Sequence, residues 1–315
     1  MKSHRVFVTG GHGFIGSAVV ELLHQNGAQV LAPYHPSGLR RHLPAKSFEL
    51  DLTDLNKASE AMRGVDTVIH LAAKSGGIRM QQVEHADVFT SNQRLTAVVL
   101  QSAASADVDR LFMASSAVVY RGGSSDVLHE TSPLLVPSDR PSGYAWSKIC
   151  DEVLGRWYGG SDRLDVVVGR FTSVYGPDDI GNPATVIDDL VARAIAAKGK
   201  KLTVWGEGTA VRSFIHRTDA AKAVLTIIAS GESNCTYNID TTEPVTIAEL
   251  ATTVRDLVDP IIEIEFDHSQ PTGSAFRVLD SSRLRNLGFE PSHPLRSGLE
   301  EFVDHATNKP RLLNA

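Results

Sequence analysis

A tyrosine and a lysine stand four positions apart near the middle of the chain, at Tyr144 and Lys148. On a helix this spacing places both side chains on one face, one turn apart. A phenol that exchanges a proton with a hydroxyl or carbonyl group needs its ordinary pKa of about 10 lowered, and a neighbouring ammonium ion lowers it. The pair therefore predicts acid–base chemistry.

Two serines, Ser115 and Ser116, follow the apolar stretch Leu111–Met113. Serines are common in turns, but in a parallel sheet the ligand site gathers at the carboxyl ends of the strands. Ser116 is then placed to hydrogen-bond the reacting oxygen beside Tyr144. We predict Ser116, Tyr144 and Lys148 as the catalytic set.

Three glycines, Gly10, Gly13 and Gly16, have the spacing G-x-x-G-x-x-G directly after the first predicted strand and before the first predicted helix. Glycines there allow a tight turn and the close approach of a pyrophosphate. The pyrophosphate then binds amides such as those of Phe14 and Ile15 at the positive end of the helix. The segment therefore predicts a dinucleotide-binding site.

The identity of the dinucleotide stays open between NAD and NADP. An acid at the end of the second strand would bind a ribose 2′-hydroxyl, and an arginine there would favour a 2′-phosphate. Here the strand Gln29–Ala32 ends without an acid, and Arg40 and Arg41 follow a few residues later. After the third strand, Asp51, followed by Leu52, is placed to hydrogen-bond adenine or to act as a loop carboxylate.

Alternating strands and helices position these groups. Apolar strands separated by helix-length connections predict an α/β fold with a Rossmann-type, doubly wound parallel sheet. The predicted strands are Arg5–Thr9, Gln29–Ala32, Ser47–Leu50, Thr67–Leu71, Arg110–Ala114 and Asp165–Gly169. In the proline-rich last third, a capping box at Thr246 and Glu249 predicts a helix start. We predict an NAD(P)-binding domain over 1–172 and 213–240, and a smaller C-terminal α/β substrate-binding lobe over 173–212 and 241–315.

Composition excludes several classes of partner. The 315 residues carry a formal net charge of -6, which provides no electrostatic footprint for nucleic acid or an anionic membrane. No apolar run approaches the roughly 20 residues that a membrane span requires, and the first strand pattern begins at Arg5, so we expect a cytoplasmic protein. Cys150 and Cys235 are expected as buried free thiols, and no metal site is predicted.

Further stretches extend these motifs along the chain: His70-Leu71-Ala72-Ala73, Val174-Tyr175-Gly176-Pro177, Trp205-Gly206-Glu207-Gly208, and Arg212-Ser213-Phe214-Ile215-His216 followed by Asp219. With them the chain resembles the extended short-chain dehydrogenase/reductase family, the NAD-dependent epimerases and dehydratases of nucleotide-activated sugars. The resemblance covers nearly the whole chain. It implies a cofactor site lined by Leu71, Ala72, Ala73 and Asn92 as well as Tyr144 and Lys148.

Within that family the chain is most similar to the GDP-fucose synthases, which combine 3,5-epimerisation with 4-keto reduction. The similar stretches include 72–78, 175–179 and 277–280. They imply a sugar nucleotide as substrate, GDP-linked, with its pyrophosphate on Arg212 and on Arg277 as a second candidate. The other substrate contacts implied are Lys74, Ser173, Val186 and Trp205.

Four positions depart from that pattern. The cysteine and histidine that serve epimerisation in those enzymes are replaced by Val118 and Thr185. A valine cannot exchange a proton, so the double epimerisation is expected to be absent or moved to other residues. Ser173 replaces an asparagine, and His12 replaces the arginine that would read a 2′-phosphate. We expect a different reaction on a related sugar nucleotide.

The leading hypothesis is hydride transfer at a sugar carbon, by a 4-keto reductase or an epimerase. An isomerase or ring mutase without net redox is the alternative, and a non-catalytic dinucleotide-sensing protein is a remote one. His35, His129 and His216, like Lys74, are titratable groups without an assigned role.

The family resemblance also implies a homodimer, through helices near Asp87–Ser105 and Tyr144–Tyr158. Their apolar positions suit either a helix bundle between subunits or the core of the monomer. These positions are Leu95, Val99, Ile149 and Val153.

Overall fold

The computed structural model describes residues 4–75, 84–122, 126–136, 139, 142–160, 164–178, 185–197, 200–270 and 274–308. The positions 76–78 and Asp179, which belong to the stretches that carry the resemblance, lie outside these residues.

Seven parallel strands form the central sheet, in the order β3-β2-β1-β4-β5-β6-β11. The direction of winding reverses between β1 and β4, and ligands of doubly wound folds bind at that point, beyond the carboxyl ends of the strands. The six predicted strands are confirmed as β1 (Arg5–Thr9), β2 (Gln29–Tyr34), β3 (Lys46–Glu49), β4 (Thr67–His70), β5 (Arg110–Ser116) and β6 (Asp165–Phe171). The sequence pattern does not predict β11 (Thr236–Ile239), whose Thr and Asn side chains are nevertheless buried.

Helices cover both faces of the sheet, as the doubly wound prediction requires. One face carries α1 (Phe14–Gln25) and α6 (Arg217–Ser230), and the other carries α2 (Leu55–Ala61), α3 (His85–Ser105) and α4 (Gly143–Gly159). Each helix buries an apolar face, and each fully buried Val or Leu contributes about 1.5–3 kcal/mol to folding. The carboxyl ends of the strands, where the predicted site lies, are therefore held between two packed layers of helices.

Shorter elements build the region beyond the sheet. β7 (Ser173–Tyr175) pairs with β10 (Phe214–His216), β8 (Lys201–Trp205) with β13 (Glu263–Asp267), and β9 (Val211–Arg212) lies between β12 (Val245–Thr246) and β14 (Phe276–Arg277). The helices of this region are α5 (Val186–Ala197), α7 (Ile247–Val258) and, after a short α8 (Ser282–Arg285) that packs against β11 of the central sheet, α9 (Leu295–Asn308). The capping box that starts α7 is confirmed. The β7–β10 pair joins the two predicted domains, whose boundaries stay a prediction.

The structure shows how far the two cysteines and two of the predicted dimer positions are buried. Cys150 and Cys235 are free thiols, but both are only half-buried, so their predicted burial is wrong. Val99 is fully buried in the chain's own core, whereas Val153 is 40% exposed on α4 and Trp157, one turn on, is 71% exposed. The homodimer itself stays a prediction.

No helix within the described residues is long and apolar enough to cross a membrane.

Candidate active site

The glycine segment forms the tight turn that the sequence predicts. Gly10 has a φ of +67°, a left-handed conformation that residues with side chains rarely adopt, and a Cβ there would lie 2.7 Å from the Ala72 nitrogen. A Cβ on Gly16 would overlap the Gly10 carbonyl oxygen. Glycine at both positions therefore lets β1, the Ala72 segment and α1 meet at one point.

Helix α1 begins over this turn without a side-chain cap. Its N-cap residue is Gly13, which has no side chain to accept a hydrogen bond from the first amides of the helix. The amides of Phe14, Ile15 and Gly16 and the positive end of the helix dipole fit a pyrophosphate. The residues present thus fit a dinucleotide at the predicted place.

Three charged side chains, Arg41, Asp178 and Arg217, form a clasp beside the glycine turn. The Arg41 guanidinium donates to both Asp178 carboxylate oxygens, at 2.5 and 2.8 Å, and its Nε donates to the His12 carbonyl oxygen at 2.7 Å. Arg217 donates to Asp178 at 3.4 Å and to Ser17 Oγ at 2.7 Å. The clasp therefore joins the β2–β3 connection and the first turn of α1 to the segment that follows β7.

His12 and Arg40 differ in their availability to a ligand. His12 is buried: its Nδ1 accepts from the Arg41 amide at 2.9 Å and its Nε2 lies 3.1 Å from the Ala32 carbonyl oxygen, which places the proton on Nε2. Burial lowers the pKa of His12, so the ring is neutral. Arg40 is exposed, and its guanidinium lies 5.1 Å from the centre of the Tyr34 ring at the end of β2.

Asp51 lies in the turn that follows β3. Its Oδ1 accepts from both the amide and the hydroxyl of Thr53 at 2.8 Å, and these hydrogen bonds lower the pKa of Asp51. Leu52 is buried beside it. The structure shows the loop role of Asp51, and its contact with adenine stays a prediction.

The two serines at the end of β5 have different surroundings, because side chains alternate along a strand. Ser115 is buried and donates to Glu152 Oε1 at 2.5 Å, and Glu152 also accepts from Arg170 at 2.9 and 2.6 Å. Ser116 is half-buried, and its Oγ accepts a long contact from the Val118 amide at 3.4 Å. Ser115 therefore belongs to the core, while the predicted catalytic Ser116 is the more accessible of the two.

Tyr144 and Lys148 lie one turn apart at the start of α4. The Lys148 Nζ is 6.0 Å from the centre of the Tyr144 ring. Helix α4 starts directly against α3, since a Cβ on Gly143 would overlap the His85 carbonyl oxygen. The structure thus places the predicted acid–base pair together on a helix that is packed closely against its neighbour.

A buried acid that the sequence analysis does not identify accompanies this pair. Lys148 Nζ donates to Asp151 Oδ2 at 3.3 Å, and Asp151 Oδ1 accepts from Gln93 Nε2 at 2.8 Å. The available signal was an acid three residues after the lysine, a spacing that pairs side chains on a helix.

Asn92 is buried behind the site and supports it. Its Oδ1 accepts from the Lys74 amide at 2.7 Å, and its Nδ2 donates to the Lys74 carbonyl oxygen and to Ser147 Oγ, both at 3.1 Å. Ser147 Oγ donates in turn to the Tyr144 carbonyl oxygen at 2.8 Å. Asn92 thus fixes the segment from Leu71 to Lys74 against α4, and its direct contact with a cofactor stays a prediction.

Arg212 and Arg277 lie side by side on the paired parallel strands β9 and β14. Arg212 donates to the carbonyl oxygens of Val211 at 2.7 Å and Ser274 at 2.5 Å. Burial and then Arg277 lower the pKa of Arg212 to about 10, and burial lowers the pKa of Arg277. In the described part of the chain neither guanidinium has a carboxylate within ion-pair distance. Two adjacent cations have the charge that a pyrophosphate requires, and this role of Arg212 and Arg277 stays a prediction.

The other predicted substrate residues are dispersed. Lys74 Nζ pairs with Asp87 and, at 3.2 Å, with Glu84, and these acids raise the pKa of Lys74. Trp205 is 44% exposed, with the Arg193 guanidinium 5.0 Å from its ring centre. The remaining two begin elements: Ser173 the strand β7 and Val186 the helix α5.

The two departures from the epimerase pattern have structural roles. Val118 lies half-buried in a short 3₁₀ helix, Ala117–Val119, directly after Ser116. The Thr185 hydroxyl bonds the Asp188 carboxylate and accepts from the Asp188 amide at 3.2 Å. Thr185 therefore caps α5, and neither side chain supplies an acid or base.

The three histidines without an assigned role differ in their surroundings. His216 is buried and stacks on His293 with ring centres 4.2 Å apart, and burial lowers the pKa of His216 to about 4. His35 and His129 are exposed. No group of three or more His, Cys, Asp or Glu side chains in the described ranges could hold a metal ion.

Known proteins resemble the chain over nearly its whole length. A family profile, the NAD dependent epimerase/dehydratase family, matches residues 6–240. The dTDP-4-dehydro-6-deoxy-D-allose reductase of Streptomyces bikiniensis is 34% identical over 313 residues, covering 94% of each chain. GDP-L-fucose synthase 1 of Arabidopsis thaliana is 32% identical over 313 residues, covering 96% of this chain and 93% of that protein.

Solved structures show the same fold. The UDP-glucose 4-epimerase of Thermus thermophilus, in complex with NAD, has a TM-score of 0.82 at 27% identity, covering 96% of this chain and 98% of that one.

Proposed function

The chain belongs to the NAD dependent epimerase/dehydratase family, and we propose that it is a nucleotide-sugar reductase that transfers hydride from NADH or NADPH to the 4-keto carbon of its substrate. The observation that carries this proposal is the intact set of Ser116, Tyr144 and Lys148 at the sheet edge that also holds the glycine turn. The paired arginines beyond it supply a place for the pyrophosphate of a sugar nucleotide.

The roles of the side chains follow from their chemistry. The nicotinamide ring supplies the hydride. Tyr144 gives its phenolic proton to the oxygen as the ketone becomes an alcohol, and Ser116 donates a hydrogen bond to the same oxygen. Lys148 holds the ribose of the cofactor beside Tyr144, while Arg212 and Arg277 hold the pyrophosphate of the substrate.

The structure favours reduction without ring-carbon epimerisation. Val118 and Thr185 stand where the acid–base pair of GDP-fucose synthases is expected, and Thr185 is engaged in capping α5. A 4-epimerase, which removes hydride and returns it to the other face of the sugar, is the second candidate. It uses the same tyrosine, and the fold of the Thermus thermophilus epimerase supports it.

For the nucleotide we propose GDP or dTDP, each of which one of the two relatives supports. The plant relative is named a GDP-L-fucose synthase, and the Streptomyces relative a dTDP-linked reductase. The latter name describes reduction alone, which matches the loss of the epimerisation pair. A direct comparison of the two substrates separates these possibilities.

The test is turnover of GDP- and dTDP-linked 4-keto-6-deoxy sugars with NADH or NADPH, followed by loss of reduced-cofactor absorbance and by product mass. Tyr144→Phe is expected to lower kcat at least about 100-fold because the proton donor is lost. Tyr158→Phe, on the same helix and half-buried in the core, is the matched control and is expected to retain activity.

The outcomes separate the alternatives. Full turnover by Tyr144→Phe would refute the mechanism. Conversion of a GDP-sugar without consumption of reduced cofactor would indicate the isomerase or ring mutase, or the 4-epimerase if only the C4 configuration changes. Tight cofactor binding without turnover of any sugar nucleotide would indicate the non-catalytic sensor.

A further inference from the structure

A buried carboxylate lies against the predicted catalytic lysine. Lys148 is 3% exposed and Asp151 is 1% exposed, and they form an ion pair at 3.3 Å across one turn of α4. An ammonium ion taken out of water loses several kcal/mol of hydration unless a counter-charge and hydrogen bonds replace it. Among the described residues, Asp151 is the acid that pairs with Lys148.

Helix α3 fixes the direction of this carboxylate. Gln93 Nε2 donates to Asp151 Oδ1 at 2.8 Å and to the Ser147 carbonyl oxygen at 3.0 Å, so it is anchored to α4 at two points. The Thr96 side chain also hydrogen-bonds Asp151. Asp151 is therefore held by donors from a second helix and is not free to rotate away from Lys148.

The other titratable groups that the structure describes on the elements around Lys148 do not form an ion pair with it. From β4, His70 bonds Thr9 Oγ1 at 2.7 Å and Thr96 Oγ1 at 3.3 Å, and burial followed by the Lys148 charge lowers the pKa of His70 to about 3, so the ring is neutral. From α4, Glu152 is turned the other way, toward Arg170. The two acids are adjacent in sequence but serve different cations.

We propose that Asp151 is a positioning residue for the proposed hydride transfer, whose buried carboxylate supplies the counter-charge of the Lys148 ammonium and holds it in place for the cofactor ribose. An ammonium group has three N–H donors, so one directed at Asp151 leaves the others for ribose hydroxyls. Asp151 itself acts through Lys148 and touches no reacting atom.

The test replaces the carboxylate by an amide of the same shape, Asp151→Asn. Without the counter-charge the ammonium loses its proton at lower pH, so we expect the alkaline limb of kcat, measured at saturating sugar nucleotide, to move down by about one pH unit or more. The value of kcat at neutral pH is expected to fall at least about 10-fold. Asp151→Glu, which restores the charge, is expected to recover part of both.

A readout without turnover accompanies the kinetics. Binding of NADPH is followed by its fluorescence across the neutral and alkaline range. As the pH rises, the affinity of Asp151→Asn for NADPH is expected to begin to fall at a lower pH than the affinity of the wild type. Glu152→Gln is the matched control: it removes the neighbouring buried acid and is expected to lower the melting temperature while leaving the alkaline limb in place.

An unchanged alkaline limb and unchanged NADPH binding in Asp151→Asn would overturn the proposal. If that variant does not fold, Gln93→Leu, which removes the donor that orients Asp151, is expected to show a smaller shift of the same sign, and no shift would refute the proposal. Because NADPH binding needs no sugar substrate, failure here is distinct from failure of the proposed reductase activity.

Discussion

Replacement of Arg277 by methionine has two expected effects of opposite sign. Methionine keeps the apolar stem of the arginine and removes its charge. In the free protein Arg212 and Arg277 repel each other across the β9–β14 pair, so the variant is expected to be more stable. With a sugar nucleotide bound, one clamp on the pyrophosphate is lost, so the variant is expected to bind substrate more weakly.

The magnitudes follow from the pairing. Neighbouring side chains on paired strands have Cβ atoms about 5 Å apart, and two unit charges about 6 Å apart at an effective dielectric constant of about 20 repel by about 3 kcal/mol. Solvent screening reduces the expected stabilisation to about 1 kcal/mol. Hydrogen bonds to a charged group contribute about 1.5–3 kcal/mol, which corresponds to a rise in KM of about 10- to 150-fold.

The assay combines urea denaturation of the free protein with KM and kcat for the sugar nucleotide. Since the contact is to the pyrophosphate, kcat is expected to change less than about threefold. Arg63→Met, which removes an exposed arginine outside the predicted site, is the control for loss of positive charge. A lower stability of Arg277→Met with an unchanged KM would refute the reasoning, because it would mean that Arg277 serves the fold and not an anion.

Two further predictions concern the cofactor and the core. Arg40→Ala is expected to weaken binding of adenosine 2′,5′-bisphosphate about 10-fold, because Arg40 is an exposed cation beside the end of β2. Binding of 5′-AMP, which lacks the 2′-phosphate, is expected to change little. Calorimetry measures both affinities, and equal losses for the two ligands would contradict the prediction. Burial raises the pKa of Asp240 from 3.8 to about 6, so its contribution to stability is greatest below about pH 4 and is lost as the pH rises to about 6. Asp240→Asn is expected to flatten this part of the stability–pH curve in urea denaturation, and an unchanged slope would count against it.

Features that are local in sequence could be predicted before the structure. The glycine turn and the Tyr144/Lys148 pair depend on spacing within one turn or one helix, and both are found as predicted. The greater accessibility of Ser116 than of Ser115 fits the choice between them, because their surroundings differ by the alternation of side chains along a strand.

Features that depend on distant contacts could not be predicted. Asp151 resembles any helical acid until Gln93, on another helix, is seen to hold it. Arg41 meets Asp178 across 137 positions, and no local pattern marks that pairing. β11 is too short and too polar to stand out, and its burial comes from the neighbouring β6.

The clasp also bears on how the chain can change during evolution. Asp178 is 2% exposed at its side chain, and Arg41, which donates to both of its carboxylate oxygens, is 11% exposed. Loss of Asp178 alone would leave the largely buried Arg41 guanidinium without this carboxylate, and breaking a buried pair costs about 3–5 kcal/mol. Among homologous sequences we therefore expect positions 41 and 178 to covary, with the acid and its arginine retained or lost together.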